Sequence, residues 1–234
     1  MFHFPIDRRG EIKTFRFSSP GYPCLYLSES IYGCWEEMKR PLFHTCGVSR
    51  FTNEKVLNLI DLTLPTPQNL SDVRCLKRIP LIIACLIPVS NYSHVYKPEY
   101  LIPQMLIEWI LKQRKNKPKK HTIIDGIRYL SSHYNAEFSF PIDKSVNYAF
   151  PAFNVENKYK YCKELCEIFS LTSPTTYDIQ KLKGLTRLKY LKSKIYKEQL
   201  NQEEERYRDS KFYILEEILK SNELFPLEQI APKE

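Results

Sequence analysis

The apolar residues of this chain are cut into short runs, and that limits what it can fold into. Up to about residue 153 the longest is IPLIIACLIPV, residues 79–89, and the runs are bounded by proline, glycine or polar turn residues. A membrane-crossing helix needs about 18–20 consecutive apolar residues, and no run approaches that. The amino terminus MFHFPIDRRG lacks the basic-then-apolar order of a secretory signal, so a globular, cytoplasmic protein without a membrane span is expected. The 43% hydrophobic content is enough for a sizeable core in 234 residues.

Local patterns give most of the order of elements. CLYLS (24–28) sits between the turn pair Pro20-Gly21 and a serine-rich step, and reads as a short buried strand. Ser30 is a helix N-cap in this reading, because Ile31, Cys34, Trp35 and Met38 then share one helical face. KVLNLIDLTL (55–64) alternates apolar and polar residues and predicts a strand. The 79–89 run is read as strand-like. Leu101, Met105, Leu106, Trp109 and Ile110 predict an amphipathic helix over 100–115. HTIIDGIRYLSS (121–132) reads as strand, tight turn at Asp125-Gly126, and strand; NYAFPAF (147–153) reads as a further strand. After about residue 155 helical periodicity and charge dominate. The expectation is an α+β domain over 1–155 followed by a helical extension over 156–234.

The formal net charge is +8. Its excess collects in KQRKNKPKKH (112–121) and in KLKGLTRLKYLKSKIYK (181–197). Nucleic-acid binding is possible in principle. A solvated loop and a solvated helix face are the preferred reading, since neither run comes with a stacking platform or recognition-helix pattern. Seven cysteines are an odd number at scattered positions, which argues against a disulfide scaffold or a metal-ligand set and for buried thiols. There is no HExxH, GxSxG or P-loop, and six glycines leave little for a glycine-rich nucleotide cradle. An enzyme built from this chain has to hold its ligand mainly with side chains.

Four segments in order, RFSSPGYPCLYLSESIYGCWEE, YLIPQMLIEWI, DGIRYLSS and NYAFP, resemble the RES domain, named for its arginine, glutamate and serine. The matched segments spread over residues 2–153. The resemblance implies a fold like that of ADP-ribosyltransferase toxins. It also implies an NAD+-degrading toxin of a type II toxin-antitoxin system, partnered by an Xre-type antitoxin. The implied reaction is cleavage of the nicotinamide-ribose bond by phosphorolysis, with inorganic phosphate as co-substrate, or by hydrolysis; no metal is implied, and a homodimer is left open.

Residue by residue, Arg16 corresponds to the family arginine, with Ser18 standing where asparagine is usual, and its guanidinium fork suits a diphosphate. Tyr26 matches the active-site tyrosine, whose ring would stack on nicotinamide or ribose. Glu37, eleven residues after Tyr26, matches the glutamate that would stabilise oxocarbenium-like charge. Glu36 faces about 100° away on the helix, so one of the two serves, and Glu37 is preferred. Ser131 matches the serine that would bond a phosphate or ribose hydroxyl, with Ser132 the close competitor. Gln104 is expected to order structure, and Asn147 and Tyr148 to close the pocket. The family's upstream arginine strand is expected to be missing, unless Arg8 or Arg9 substitutes. This motivates an alternative, a catalytically degenerate RES fold that binds a nucleotide or a protein.

Overall fold

Strand β1 (Cys24–Ser28) runs into helix α1 (Ile31–Glu37) through Ser30, as the sequence predicts. Ser30 has extended backbone angles, and its hydroxyl accepts from the Gly33 N–H at 2.9 Å, which satisfies one of the first-turn donors a helix cannot pair internally. The computed structural model describes residues 2–69, 71–116, 123–133, 140–152, 160–179 and 202–227, and its class is α+β. The chain divides into two compact units, each assembled from separated stretches. The first comprises 1–27, 55–132 and 147–168; the second comprises 28–54, 133–146 and 169–234.

The first unit is built on a four-stranded sheet. Besides β1 it contains β3 (Leu59–Leu62), β4 (Gly126–Leu130) and β5 (Val146–Pro151), in the order β1-β5-β4-β3. Strands β3 and β4 are parallel, with Leu59 opposite Gly126 and Leu62 opposite Tyr129. Gly126 is needed at its position because a Cβ there would lie 2.6 Å from the Ala149 carbonyl oxygen. The expected turn at Asp125-Gly126 is therefore absent. Gly126 opens β4 instead, and Ile123 to Asp125 enter it without a strand of their own.

The apolar run expected to be strand-like is helical over 79–86 and leaves the helix at Ile87. Residues 79–86 form the second half of α2 (Val73–Leu86), started by Asp72, whose carboxylate accepts from the Arg74 N–H at 2.8 Å. A short apolar run does not distinguish buried strand from buried helix by itself, and here the upstream cap decides. Pro80 lies inside this helix and leaves one main-chain donor missing. Helix α3 (Leu101–Lys115) forms where expected but presents a different face. Pro103, Ile107 and Ile110 are buried, while Leu101, Met105 and Trp109 are about half exposed. Ile82 and Cys85 from α2, Ile107 and Ile110 from α3, Leu62, Ile127, Tyr129 and Ala149 from the sheet, and Phe17 form one core. Arg114 ties the end of α3 down, donating to Glu164 at 2.7 Å, Asp125 at 3.0 Å and the Ile124 carbonyl at 3.0 Å. Glu164 belongs to α4 (Lys163–Ile168).

The second unit contains α1 and a three-stranded antiparallel sheet, β2 (Phe51–Asn53), β6 (Phe169–Thr172) and β7 (Leu224–Pro226), in the order β2-β6-β7. It also contains α5 (Gln202–Arg208) and α6 (Lys211–Lys220). The described part of 156–234 thus holds strands as well as the expected helices. Its centre is aromatic: Tyr32 and Phe140 meet edge to face at 5.0 Å, Phe140 and Tyr207 at 5.2 Å, and Phe212 joins Tyr32 at 5.5 Å. Such pairs contribute about 0.5–1.5 kcal/mol each beyond burial. Residues 117–121 of the first basic run and all of 181–197 lie outside the described residues. Among the described residues no helix is long and apolar enough to cross a membrane.

Candidate functional site

Arg16 occupies the tip of a very tight turn. Phe15 and Ser18 bond to each other in both directions, N–H to O=C at 3.0 and 3.2 Å, leaving Arg16 and Phe17 as the two central residues. Phe17 is fully buried, 4.6 Å from the Tyr129 ring, and anchors the turn in the core. Gln104, from α3, clamps it from outside, its Nε2 lying 2.8 Å from Thr14 Oγ1, 2.9 Å from the Phe15 carbonyl and 3.1 Å from the Ser18 carbonyl. The structural role expected of Gln104 is what its contacts describe.

The Arg16 guanidinium is already engaged. Nη1 donates to the Cys85 and Ile87 carbonyls at 2.8 and 2.9 Å, and Nη2 donates to Ser132 Oγ at 2.8 Å. The two carbonyls close the C-terminal end of α2, where unpaired acceptors and the helix dipole favour a cation. The guanidinium carbon also lies 5.3 Å from the centroid of the Tyr100 ring. Of five donors, three are used in these bonds; Nε–H and the second hydrogen of Nη2 remain as capacity for a ligand. Ser132 is the serine bonded to Arg16, whereas Ser131 is buried at the end of β4.

Tyr26 divides into two parts. Its hydroxyl sits under the Arg16 turn, accepting from the Phe17 N–H at 3.2 Å and sharing a 2.8 Å hydrogen bond with Ser18. Burial of that hydroxyl pushes its pKa well above the usual tyrosine value, with the neighbouring Cys24 and Tyr129 adding to the shift and the bonds from Ser18 and Phe17 opposing it. The residue is nevertheless 37% exposed, tilted against Phe15 with ring centroids 6.2 Å apart. Ser18, where the family pattern has asparagine, thus makes a bond that holds the ring. Asn147 is buried in β5, and Tyr148 stacks on Phe150 at 6.2 Å.

In the second unit, α1 carries both carboxylates. Glu36 points inward, 5% exposed, and its Oε2 accepts from Arg40 Nε at 3.0 Å. Lys39 and Arg40 both have left-handed backbone angles, φ of 62° and 55°, an arrangement that costs about 1–2 kcal/mol per residue. It folds Arg40 back onto Glu36 and to 5.8 Å from the Trp35 ring. Glu37 is the open one: its side chain is 36% exposed, with Oε2 at 4.0 Å from His133 Nε2. His133 directly follows the Ser131-Ser132 pair in sequence; that adjacency was the available signal for it. Cys34, also on α1, is held as a thiol, its pKa pushed up to about 11 by burial and, secondarily, by the Glu37 charge.

Arg8 is occupied at the surface, donating to Glu11 through Nε at 2.8 Å and Nη2 at 2.6 Å. Arg9 is exposed. Among the described residues no three His, Cys, Asp or Glu side chains gather as a metal site. The chemistry on offer is a guanidinium with donors to spare, an open aromatic ring, and a carboxylate near an imidazole.

No solved structure matches the chain. Among curated proteins it is 35% identical over 196 residues to the Bacillus subtilis (strain 168) protein described as "Putative toxin YopC". That alignment covers 76% of this chain and 42% of the relative, so the chain spans less than half of the relative's length. The RES domain family model matches residues 3–154, which include Arg16, Tyr26, Glu37, Ser131, Ser132, His133 and Asn147. The chain therefore belongs to the RES domain family.

Proposed function

We propose that this chain is an NAD+-degrading toxin. The proposed reaction breaks the bond between nicotinamide nitrogen and the anomeric carbon of ribose. The bonding pair leaves with nicotinamide, which departs neutral. Water or inorganic phosphate supplies the new bond to carbon, and the proton of an attacking water passes to solvent or to a carboxylate. Arg16 binds the diphosphate through its remaining donors, the Tyr26 ring stacks on the nucleoside, and Glu37 opposes the positive charge that develops on the sugar. Ser132, already on Arg16, and Ser131 are the hydroxyl candidates beside it.

The observation that carries this reading is the preorganisation of Arg16. Two carbonyls, Ser132 and the Gln104-clamped turn fix its orientation, yet two donors stay available, so little ordering remains to be done when a diphosphate arrives. Toxin action rests on the relative's description together with family membership. Xre-type antitoxin pairing and cytoplasmic action belong to the same reading. Incubation of the purified chain with NAD+, with and without phosphate, tests it. Nicotinamide release is expected, and dependence on phosphate separates phosphorolysis from hydrolysis; an NAD+ pool that stays constant at high enzyme concentration ends the proposal.

One observation favours a second reading. The carbonyls held by Arg16 make it a helix-capping residue in its own right, a role that survives loss of catalysis. A degenerate RES fold would bind NAD+ in calorimetry without turning it over.

A further inference from the structure

The RES match ends at residue 154, yet the helix carrying Glu37 begins on a contact from residue 216. The N-terminus of α1 is closed by two side chains. Ser30 Oγ accepts from the Gly33 N–H and donates its own hydroxyl hydrogen bond to the Lys144 carbonyl. Glu216, on α6, accepts from the Ile31 N–H through Oε1 at 2.7 Å, and the same oxygen accepts from the Tyr207 hydroxyl of α5 at 2.6 Å. Tyr207 is fully buried, with Lys144 Nζ 5.2 Å from its ring centroid. Burial raises the Glu216 pKa above the ordinary carboxylate value, against the lowering effect of Tyr207, the Ile31 N–H, Lys144 and Lys220. A buried carboxylate is costly, so this one is held in place by what it bonds.

The neighbourhood leaves α1 little freedom to settle elsewhere. A Cβ on Gly33 would lie 2.2 Å from Ser28 Oγ and 2.9 Å from the Lys144 carbonyl. On the other flank Phe212 of α6 meets Trp35 at 5.3 Å and Tyr32 at 5.5 Å. A helix of only seven residues has marginal stability of its own and takes its place from such contacts.

We infer that Glu216 is a positioning residue: it anchors the first turn of α1 and so sets where Glu37, at the last turn of that helix, presents its carboxylate. Residues 202–227 are then part of the working unit and not an appendage to the RES domain. The consequence for catalysis rests on the proposed NAD+ reaction; the anchoring itself does not.

The test uses the full chain with Glu216→Gln and Glu216→Ala. Glutamine keeps an acceptor oxygen for the Ile31 N–H and the Tyr207 hydroxyl, whereas alanine removes it. Hydrogen exchange at α1 should be close to native in Glu216→Gln and faster by at least tenfold in Glu216→Ala, with the β2-β6-β7 sheet protected in both. Turnover of NAD+ should follow, kcat falling about tenfold in Glu216→Ala with KM unchanged and recovering in Glu216→Gln. Native exchange at α1 in Glu216→Ala overturns the anchor. So does a loss of protection spread evenly through the unit, whereas faster exchange at α1 with a kcat equal to wild type overturns the positioning of Glu37. A wild-type chain that leaves NAD+ intact overturns the proposed reaction, and the exchange pattern still decides the anchor.

Discussion

The turn carrying Arg16 and the helix carrying Glu37 are fixed in opposite ways. At Arg16 the functional side chain itself is tied down, by the Cys85 and Ile87 carbonyls and by Ser132. At Glu37 the backbone is tied down instead, through Ser30, Glu216 and the packing of Tyr32 and Trp35, while the carboxylate is 36% exposed and lies 4.0 Å from His133. The difference suits two chemical tasks. A diphosphate clamp gains from a side chain oriented before the ligand arrives, and a carboxylate facing developing charge gains from a solvent-accessible position held at a fixed place.

If that contrast is functional, removing the Glu37 charge should have the largest effect on turnover. Glu37→Gln is expected to lower NAD+ consumption by about 10²–10³-fold, the range seen when one electrostatic contact to a transition state is lost, with the unfolding midpoint close to native. Glu36→Gln should instead show itself in denaturant unfolding, because Glu36 is buried and holds Arg40. An exchange of those two phenotypes would move the catalytic assignment to Glu36.

Arg16 should couple stability to activity where Glu37 does not. Arg16→Ala removes a charged cap on α2, and hydrogen bonds to charged groups contribute about 1.5–3 kcal/mol, so urea unfolding should show a loss of that order alongside weaker NAD+ binding. Ser132→Ala removes one of the three bonds and should cost less, about 1 kcal/mol. A fully stable Arg16→Ala would mean that the cap is dispensable and the arginine is kept for ligand alone.

Glycine probes compare the frames of the two units. Gly126→Ala presses on the Ala149 carbonyl and on Phe150 in the first, and Gly33→Ala on Ser28 Oγ and the Lys144 carbonyl in the second. Each should cost about 1–3 kcal/mol by overpacking. Gly33→Ala should also depress kcat, since it displaces α1, and Gly126→Ala should not.

The smallest effects are in pH dependence, and the two units should differ in sign. His3 accepts from the Cys162 N–H through Nε2 at 2.8 Å, and its Nδ1 lies 2.8 Å from the Phe4 carbonyl. Burial lowers its pKa from the ordinary 6.5, with the Phe4 bond opposing. Its contribution is present above that value and lost as pH falls through the lowered folded value. Glu216 is raised from 4.5, so its contribution is present below that value and lost as pH rises through the raised folded value. Unfolding followed across pH should lose the first dependence in His3→Gln and the second in Glu216→Gln.

Much of the local chemistry was legible in the residues themselves. Ser30 before an apolar face predicted the start of α1, the CLYLS and NYAFP patterns predicted β1 and β5, and the ordered motifs identified the family. Those features depend on neighbours a few residues away. The 79–89 run departs from its strand-like expectation because a short apolar run suits strand and helix equally, and Asp72, seven residues upstream of it, starts the helix. The buried face of α3 differs from the expected one because several apolar residues compete for it, and packing buries Ile107 while leaving Met105 exposed.

What the sequence by itself determined was a set of side chains: an arginine, a tyrosine, adjacent glutamates and adjacent serines, placed on a turn, a strand, a helix and a strand end. Tertiary structure alone decided which of those side chains are buried and which partners they take. It bonded Arg16 to carbonyls some seventy residues away and chose Ser132 over Ser131 as its partner. It buried Glu36 and left Glu37 open, and it brought Glu216 to the start of α1 across 185 residues of chain. Hydrogen-bond saturation and burial depend on groups distant in sequence, and no local pattern encodes them.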